Sequence, residues 1–185
     1  MGSMVDPDLR NELLAALPSL RAFALSLAGN GDRADDLVQD TIVRAWGNLH
    51  RFQDGTNLQA WLFTILRNHF YSEHRKRQRE VEDVDGFYAA SLISIPDQNA
   101  RLDLQDFQKA LMQLPVDQRE ALLLVGAQGF SYEEAAVICG CAMGTIKSRI
   151  SRARARLAEL LALNEVDDLG PDSIVMAALH PDPVA

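Results

Sequence analysis

Apolar residues recur near every 3.6 positions through Leu13, Leu14, Leu17, Leu20, Phe23, Ala24 and Leu27, and Gly29 then supplies a stop. That spacing predicts one face of an α-helix, with Pro18 inside it as a candidate kink. Asp32 is placed to cap a second helix whose inner face would carry Leu37, Val38, Ile42, Ala45 and Trp46, ended by Gly47-Asn48. A third helix is expected from about Asn57 to Arg79, with Leu58, Trp61, Leu62, Ile65, Leu66 and Phe70 on one side and a basic run at its end. No window alternates apolar and polar residues at period two between hairpin turns, so the fold class is all-α.

The periodicity weakens between Glu80 and about Asn99, where Glu82, Asp83, Asp85, Gly86, Ser91, Ser94 and Pro96 crowd together. A second helical set follows, with expected spans Leu102 to Leu114, Asp117 to Ala127, Ser131 to Cys139 and Cys141 to about Leu163. The chain therefore reads as two small helical domains, residues 8–80 and 99–162, joined by an acidic linker over 81–98. An acidic tail over 163–185 contains Pro171, Pro181 and Pro183; it reads as disordered, with Ser173 to Leu179 as a candidate short partner-binding helix.

The chain's net charge of −8 argues against a nucleic-acid partner until its distribution is counted. Residues 119–158 hold six basic and three acidic residues, whereas 159–185 hold six acidic and no basic ones. The cations gather in Arg67 with Arg75, Lys76, Arg77 and Arg79, and again in Lys147, Arg149, Arg152, Arg154 and Arg156. Two cationic patches on an acidic background point to a polyanion partner.

Several other classes are set aside. Leu62 to Leu66 is too short to cross a bilayer, and the start lacks the regions of a signal peptide, so a cytoplasmic location with no membrane partner is expected. Gly2-Ser3 before a second Met reads as an appended start. Cys139 and Cys141 form a single pair without a second to complete a zinc site, and they suit packing and turn roles as well as a redox one. His50, His69, His74 and His180 show no ligand spacing. With no Gly-rich phosphate loop, nucleophile elbow or convincing carboxylate pair, the expectation is a non-enzyme with no cofactor and no metal.

The sharpest local pattern is Ser131-Tyr132-Glu133-Glu134-Ala135-Ala136-Val137-Ile138-Cys139-Gly140-Cys141, followed directly by a long basic helix. Ser131 and Glu134 have the spacing of a capping box, and Gly140 suits a left-handed turn. Ile146, Ile150, Ala153 and Leu157 then form a buried stripe, leaving Lys147, Ser148, Ser151 and Arg152 opposite, beside the small Gly144 and Ala155. This is the layout of a helix-turn-helix with its recognition helix. Five cations and no acid between Ala142 and Arg156 favour DNA over a merely solvated helix, which would alternate charge. Lys147 and Arg152 are candidates to read or bracket bases, with Arg149, Arg154 and Arg156 on phosphates.

The stretch from Gln118-Arg119-Glu120-Ala121-Leu122 through Gly144-Thr145-Ile146-Lys147-Ser148-Arg149-Ile150-Ser151-Arg152-Ala153-Arg154 resembles region 4 of the extracytoplasmic-function (group IV) sigma factors of bacterial RNA polymerase. The resemblance implies docking on the promoter −35 element through Thr145, Lys147, Ser148, Arg149, Ser151, Arg152 and Arg154. Independently, Ala34-Asp35-Asp36-Leu37-Val38-Gln39-Asp40-Thr41-Ile42-Val43-Arg44-Ala45-Trp46 resembles sigma region 2.2. That likeness implies that Asp36, Gln39, Asp40 and Arg44 grip the β′ clamp helices of core RNA polymerase, while region 4 meets the β flap.

Phe52-Gln53-Asp54-Gly55-Thr56-Asn57 and the following Leu58 to Asn68 are similar to regions 2.3 and 2.4, which read the −10 element. Capturing unstacked bases suits polar loop groups, aromatic rings and cations. The implied −10 residues are Asn57, Trp61, Arg67, Asn68, Tyr71, Arg75 and Lys76, with Asn68 at the family position beside a flipped base. Phe63 and Phe70 are further stacking candidates, although aromatics at helical spacing, Trp61 included, also suit a core.

Thr56 to Asn68 and Gly140 to Arg149 look most like the general-stress-response (EcfG-type) subgroup, which implies a small helical anti-sigma partner, NepR-like, that engages both domains. Two alternatives share the motifs: a sigma-like anti-anti-sigma mimic, which would need a receiver domain, and a stand-alone helix-turn-helix regulator. The 23-residue tail is too short for the former, and the region 2 likeness disfavours the latter.

Overall fold

The computed structural model describes residues 7–53, 55–81 and 106–161; of the linker expected over 81–98 only Val81 is described, as the end of a helix, and the acidic tail over 163–185 lies outside the described residues. Every regular element among these residues is helical. The chain divides into two compact units, Met1–Ser91 and Leu92–Ala185.

The first unit packs three helices, α1 (Pro7–Ala28), α2 (Gly31–Gly47) and α3 (Leu58–Val81), each against the other two. Gly29 adopts φ 68°, a conformation that costs a side-chain-bearing residue but not glycine, and so ends α1. The cap of α2 is Asn30 rather than Asp32: Asn30 accepts a hydrogen bond from the Arg33 amide, and Asp32 falls inside the first turn. At the other end of α2, a short 3₁₀ turn over Leu49–Arg51 leads towards α3. Leu20, Phe23, Ala24, Leu62, Phe63 and Leu66 are fully or almost fully buried, and the Phe23 and Phe63 rings lie 5.0 Å apart. Rings at that tilted spacing add to the area they bury.

Two inward expectations are corrected here. Leu14 is 54% exposed and Ala16 takes the buried position, while Trp46 is 50% exposed. The inner stripe of α2 is Ala34, Leu37, Thr41 and Ala45, with Val38 and Ile42 only partly covered. Small residues on that stripe allow three helices to approach closely, which is why the largest side chain of α2 faces outward. Thr41, completely buried, donates its hydroxyl to the Leu37 carbonyl at 2.6 Å, so this hydroxyl is not stranded in the core.

The second unit holds α4 (106–112), α5 (Val116–Gly126), α6 (Tyr132–Cys139) and α7 (Met143–Leu160). Residues 119–124 of α5 are all buried, the pattern of a central helix covered on every side. Its Arg119 donates to the Met112 carbonyl at 3.1 Å and so ties α5 to the end of α4. Helices α5, α6 and α7 pack on one another. The capping box of α6 forms as its spacing predicts: the Glu134 amide donates to Ser131 Oγ at 3.1 Å, and the Ser131 amide donates to Glu134 Oε2 at 2.9 Å. Gly140 follows at φ 61°. α7 begins at Met143 with Ala142 as its cap, two residues later than expected, so Cys141 belongs to the turn.

Candidate nucleic-acid and polymerase interfaces

The basic face of α7 follows from its buried one. Ile146, Ile150, Ala153 and Leu157 face the core at 0–2% exposure, which fixes the rotation of the helix. Gly144, Ser148, Ser151 and Ala155 then form an exposed strip of small residues on the opposite side. Lys147 and Arg154 flank one edge of that strip, and Arg152, Thr145 and Arg156 the other. A strip of small side chains between two cationic edges can sit deep in a major groove while its edges reach phosphates.

Neighbours hold several of these side chains. The Lys147 ammonium lies 5.8 Å from the centroid of the Tyr132 ring, and the Arg152 guanidinium donates to the Ser148 carbonyl at 3.2 Å. Arg149 is in a different position: it is half-buried, 3.1 Å from the Asp117 carboxylate on α5 and 3.9 Å from the Cys141 sulfur. It therefore braces the recognition helix against α5 and the turn. Cys139 is buried in the packing of α6, and Cys141 is half-exposed.

On α3, Trp61, Thr64, Asn68, Tyr71, Ser72 and Arg75 share one exposed or half-exposed face, set by the buried Leu62, Phe63, Leu66 and Phe70 behind them. The structure thus brings four of the expected −10 residues, Trp61, Asn68, Tyr71 and Arg75, into one row. Arg67 lies over the Tyr71 ring at 4.6 Å, and Lys76 continues the cationic end. Asn57 sits at the start of the helix, where its side chain accepts from the Ala60 amide at 3.1 Å. A groove of about 440 Å³ beside it is lined by Glu12, Ala16, Ser19, Thr56, Asn57 and Gln59. Trp61 is half-buried against Phe52, the rings 5.3 Å apart, so its outer surface stays available. Phe63 and Phe70 are withdrawn as stacking candidates, since both are buried in the core.

The outer face of α2 carries Asp36, Gln39, Asp40 and Arg44 as expected, together with Val43 at 64% exposure and Trp46 at 50%. The polar candidates therefore share their face with two apolar side chains, of which Trp46 had been expected to point inward. Exposed apolar side chains beside charged ones are a combination that suits contact with another protein. A helical-wheel angle measured from the small buried stripe would have found them.

Both edges of that face are fastened. Asp35 accepts from Arg21 Nε at 2.6 Å and from Nη2 at 3.2 Å, joining α2 to α1. Its hydrogen bonds from Arg21 hold the Asp35 carboxyl below the ordinary carboxylate value, and the same pairing raises Arg21. On the other edge, His69 Nε2 lies 2.9 Å from Asp40 Oδ2 and 3.7 Å from Glu73 Oε1. Asp40, His69 and Glu73 are the three donors that, among the described residues, approach a metal-holding cluster, their ligand atoms all within 4.8 Å. The hydrogen bond already made by His69 accounts for the arrangement without an ion.

Comparison with known proteins bears on both surfaces. The sigma-70 region 2 family matches residues 13–80, and the sigma-70 region 4 family matches residues 104–157. A relative from Rhodopseudomonas palustris, the ECF RNA polymerase sigma factor EcfG, is 63% identical over 171 residues, covering 92% of this chain and 94% of that protein. The chain belongs to the extracytoplasmic-function sigma factors of the sigma-70 family. As a sigma factor it acts in transcription initiation with RNA polymerase, a regulatory rather than a catalytic role. The two family matches in one chain set aside a stand-alone helix-turn-helix regulator.

Among solved structures, the sigma factor RpoE of Bartonella quintana, in complex with the anti-sigma factor NepR, matches with a TM-score of 0.79 and 60% identity, covering 86% of this sigma factor and 100% of that chain. The anti-anti-sigma factor PhyR of the same organism, also complexed with NepR, matches at 0.51 with 18% identity over 82% of this chain and 50% of that one. That second likeness extends to the fold alone. No helix among the described residues is long and apolar enough to cross a membrane.

Proposed function

We propose that this sigma factor binds core polymerase through the outer face of α2, reads the −10 element with the outer row of α3 and the −35 element with α7, and is held in check by a NepR-like anti-sigma protein. The observation that carries the reading is the exposed face of α2, which presents Asp36, Gln39, Asp40 and Arg44 together with Val43 and Trp46. Exposed apolar groups framed by charge form the centre and rim of a protein interface. The β′ clamp helices are the expected partner, with the β flap meeting the second unit, and the working location is the cytoplasm.

The division of labour on DNA follows from chemistry. Asn68, with both a donor and an acceptor on an exposed side chain, suits the edge of an unstacked base, and Trp61 and Tyr71 offer rings beside it. Arg67, Arg75 and Lys76 supply charge for the backbone, with Asn57 at the mouth of the helix. On α7, Lys147, Ser148, Ser151 and Arg152 face the groove floor, Thr145 and Arg154 meet the backbone, and Arg149 contributes by holding the helix. The NepR-like partner is supported by the 60% identical relative that binds NepR.

The test is reconstituted transcription with core polymerase on a genomic promoter library. Specific initiation is expected, and an absence of transcripts would sink the reading. Changing Asp36, Gln39 and Asp40 together to Ala should weaken core binding without unfolding the protein. Asn68→Ala should leave duplex binding intact and impair strand opening, read by permanganate footprinting; normal melting by that variant rejects the base-pocket role.

A further inference from the structure

His69 is a residue that the proposed reading does not use. Its neighbours in sequence, Asn68 and Phe70, divide between the promoter-reading face and the core, and His69 itself is 6% exposed. A buried imidazole needs a partner, because a stranded polar group in the interior costs a hydrogen bond. The partner is Asp40 on the neighbouring helix, 2.9 Å from Nε2. A carboxylate at neutral pH only accepts, so the hydrogen of this bond sits on His69 Nε2. Glu73, one turn further along α3, places a second carboxylate 3.7 Å from the same nitrogen.

The geometry has a consequence for docking. The Asp40 side chain is 55% exposed, so one side of the carboxylate meets the imidazole while the rest stays open to a partner. An unrestrained aspartate on a helix surface loses rotamer freedom when a partner captures it, and that loss is subtracted from the affinity. The bond to a rigid, buried ring removes the freedom beforehand.

We infer that His69 is a positioning residue of the polymerase-docking face: from beneath α2 it fixes the Asp40 carboxylate in its binding geometry and ties that face to the promoter-reading helix α3. This rests on the proposed docking role of α2.

A double-mutant cycle on the full-length sigma factor tests it, with affinity for core polymerase and thermal midpoint measured on each variant. Asp40→Ala and His69→Leu are combined, and His69→Gln is added because its side-chain amide restores an N–H donor. Asp40→Ala should weaken core binding. His69→Leu should weaken it about fivefold in the presence of Asp40 and hardly at all in its absence, a coupling expected of directly bonded residues. His69→Gln should recover most of the loss. A purely structural His69 would lower the thermal midpoint and act equally whether residue 40 is Asp or Ala; that additive result overturns the inference while sparing the docking face. If Asp40→Ala alone leaves core affinity unchanged, and the triple Asp36, Gln39, Asp40 variant still binds weakly, Asp40 has no docking role and the inference fails, with the face intact. If the triple variant also binds normally, the docking reading fails with it.

Discussion

The two units solve the same packing problem with opposite economies of surface. In the second, one helix carries the whole candidate interface: α7 buries Ile146, Ile150, Ala153 and Leu157 and turns Lys147, Ser148, Ser151 and Arg152 out. In the first, the proposed work is divided, with α2 carrying the proposed polymerase-docking face and α3 the proposed promoter-reading row, and Arg21–Asp35 joins α2 to α1 while His69–Asp40 joins it to α3. The difference teaches that a single-helix reader needs only a well-fixed rotation, whereas a two-surface unit needs its helices fixed relative to each other. The brace in the second unit accordingly serves the single reader helix, tying Arg149 of α7 to Asp117 of α5, whereas those in the first tie α2 to both α1 and α3.

That contrast can be broken or sharpened by substitution. The largest effect is expected from Trp46→Ala, which should cost core-polymerase binding about 2 kcal/mol or more, as loss of an interfacial aromatic anchor does. Its half-exposed position in the free protein keeps the stability change near ±0.5 kcal/mol. Calorimetric titration against core, set beside a urea melt, checks both numbers; a Trp46 variant that loses stability but binds normally would place the ring back among packing residues.

Next come Lys147→Ala and Arg152→Ala, each expected to weaken −35 recognition by about 1–3 kcal/mol if a base contact is removed. Arg149→Ala should behave differently. It breaks the pairing with Asp117, so it should lower the thermal midpoint as well as DNA affinity, whereas Lys147→Ala should leave the midpoint alone. Equal midpoints for the two variants would erase the distinction between reader and brace.

A smaller effect, about 1 kcal/mol of stability, is expected from Ser131→Ala, which removes one half of the capping box on α6. Amide exchange of Glu134 would report it locally. The smallest belongs to Asp35→Asn. Asp35 is held below its ordinary value by Arg21, so its contribution is present above the unfolded-state value and is lost as pH falls through the depressed folded one. The variant should therefore lose that small contribution at neutral pH, flatten the acid limb of the stability curve below about pH 4 and converge on the parent protein at the acid end. Both partners are solvent-exposed, and added salt should shrink the difference further.

The unequal legibility of the two units has a physical source. The α7 stripe could be read directly because its buried residues are large, apolar and spaced at i, i+4, i+7 and i+11, so hydrophobicity alone fixes the rotation. In α2 the same rule misplaced Trp46. Its true inner stripe is small and includes a threonine, and a hydrophobicity pattern ranks an indole above an alanine whichever way the helix faces. Asn30 in place of Asp32 is a similar case: both residues suit a cap, and the choice depends on where the chain leaves Gly29.

What the sequence by itself determined is local or periodic: the all-α class, the capping box at Ser131, the left-handed turn at Gly140, the charge partition and the two motifs by which the family resemblance was stated. Those features depend on residues within one or two helical turns of each other, where spacing and chemistry act directly. Only the tertiary structure decided that Trp46 and Val43 face outward, that Arg149 is spent on Asp117, and that His69 lies under Asp40, 29 residues away in the chain. Contacts across helices depend on how closely the backbones approach, and that distance is set by the small residues buried between them, which carry almost no signal in a hydrophobic pattern.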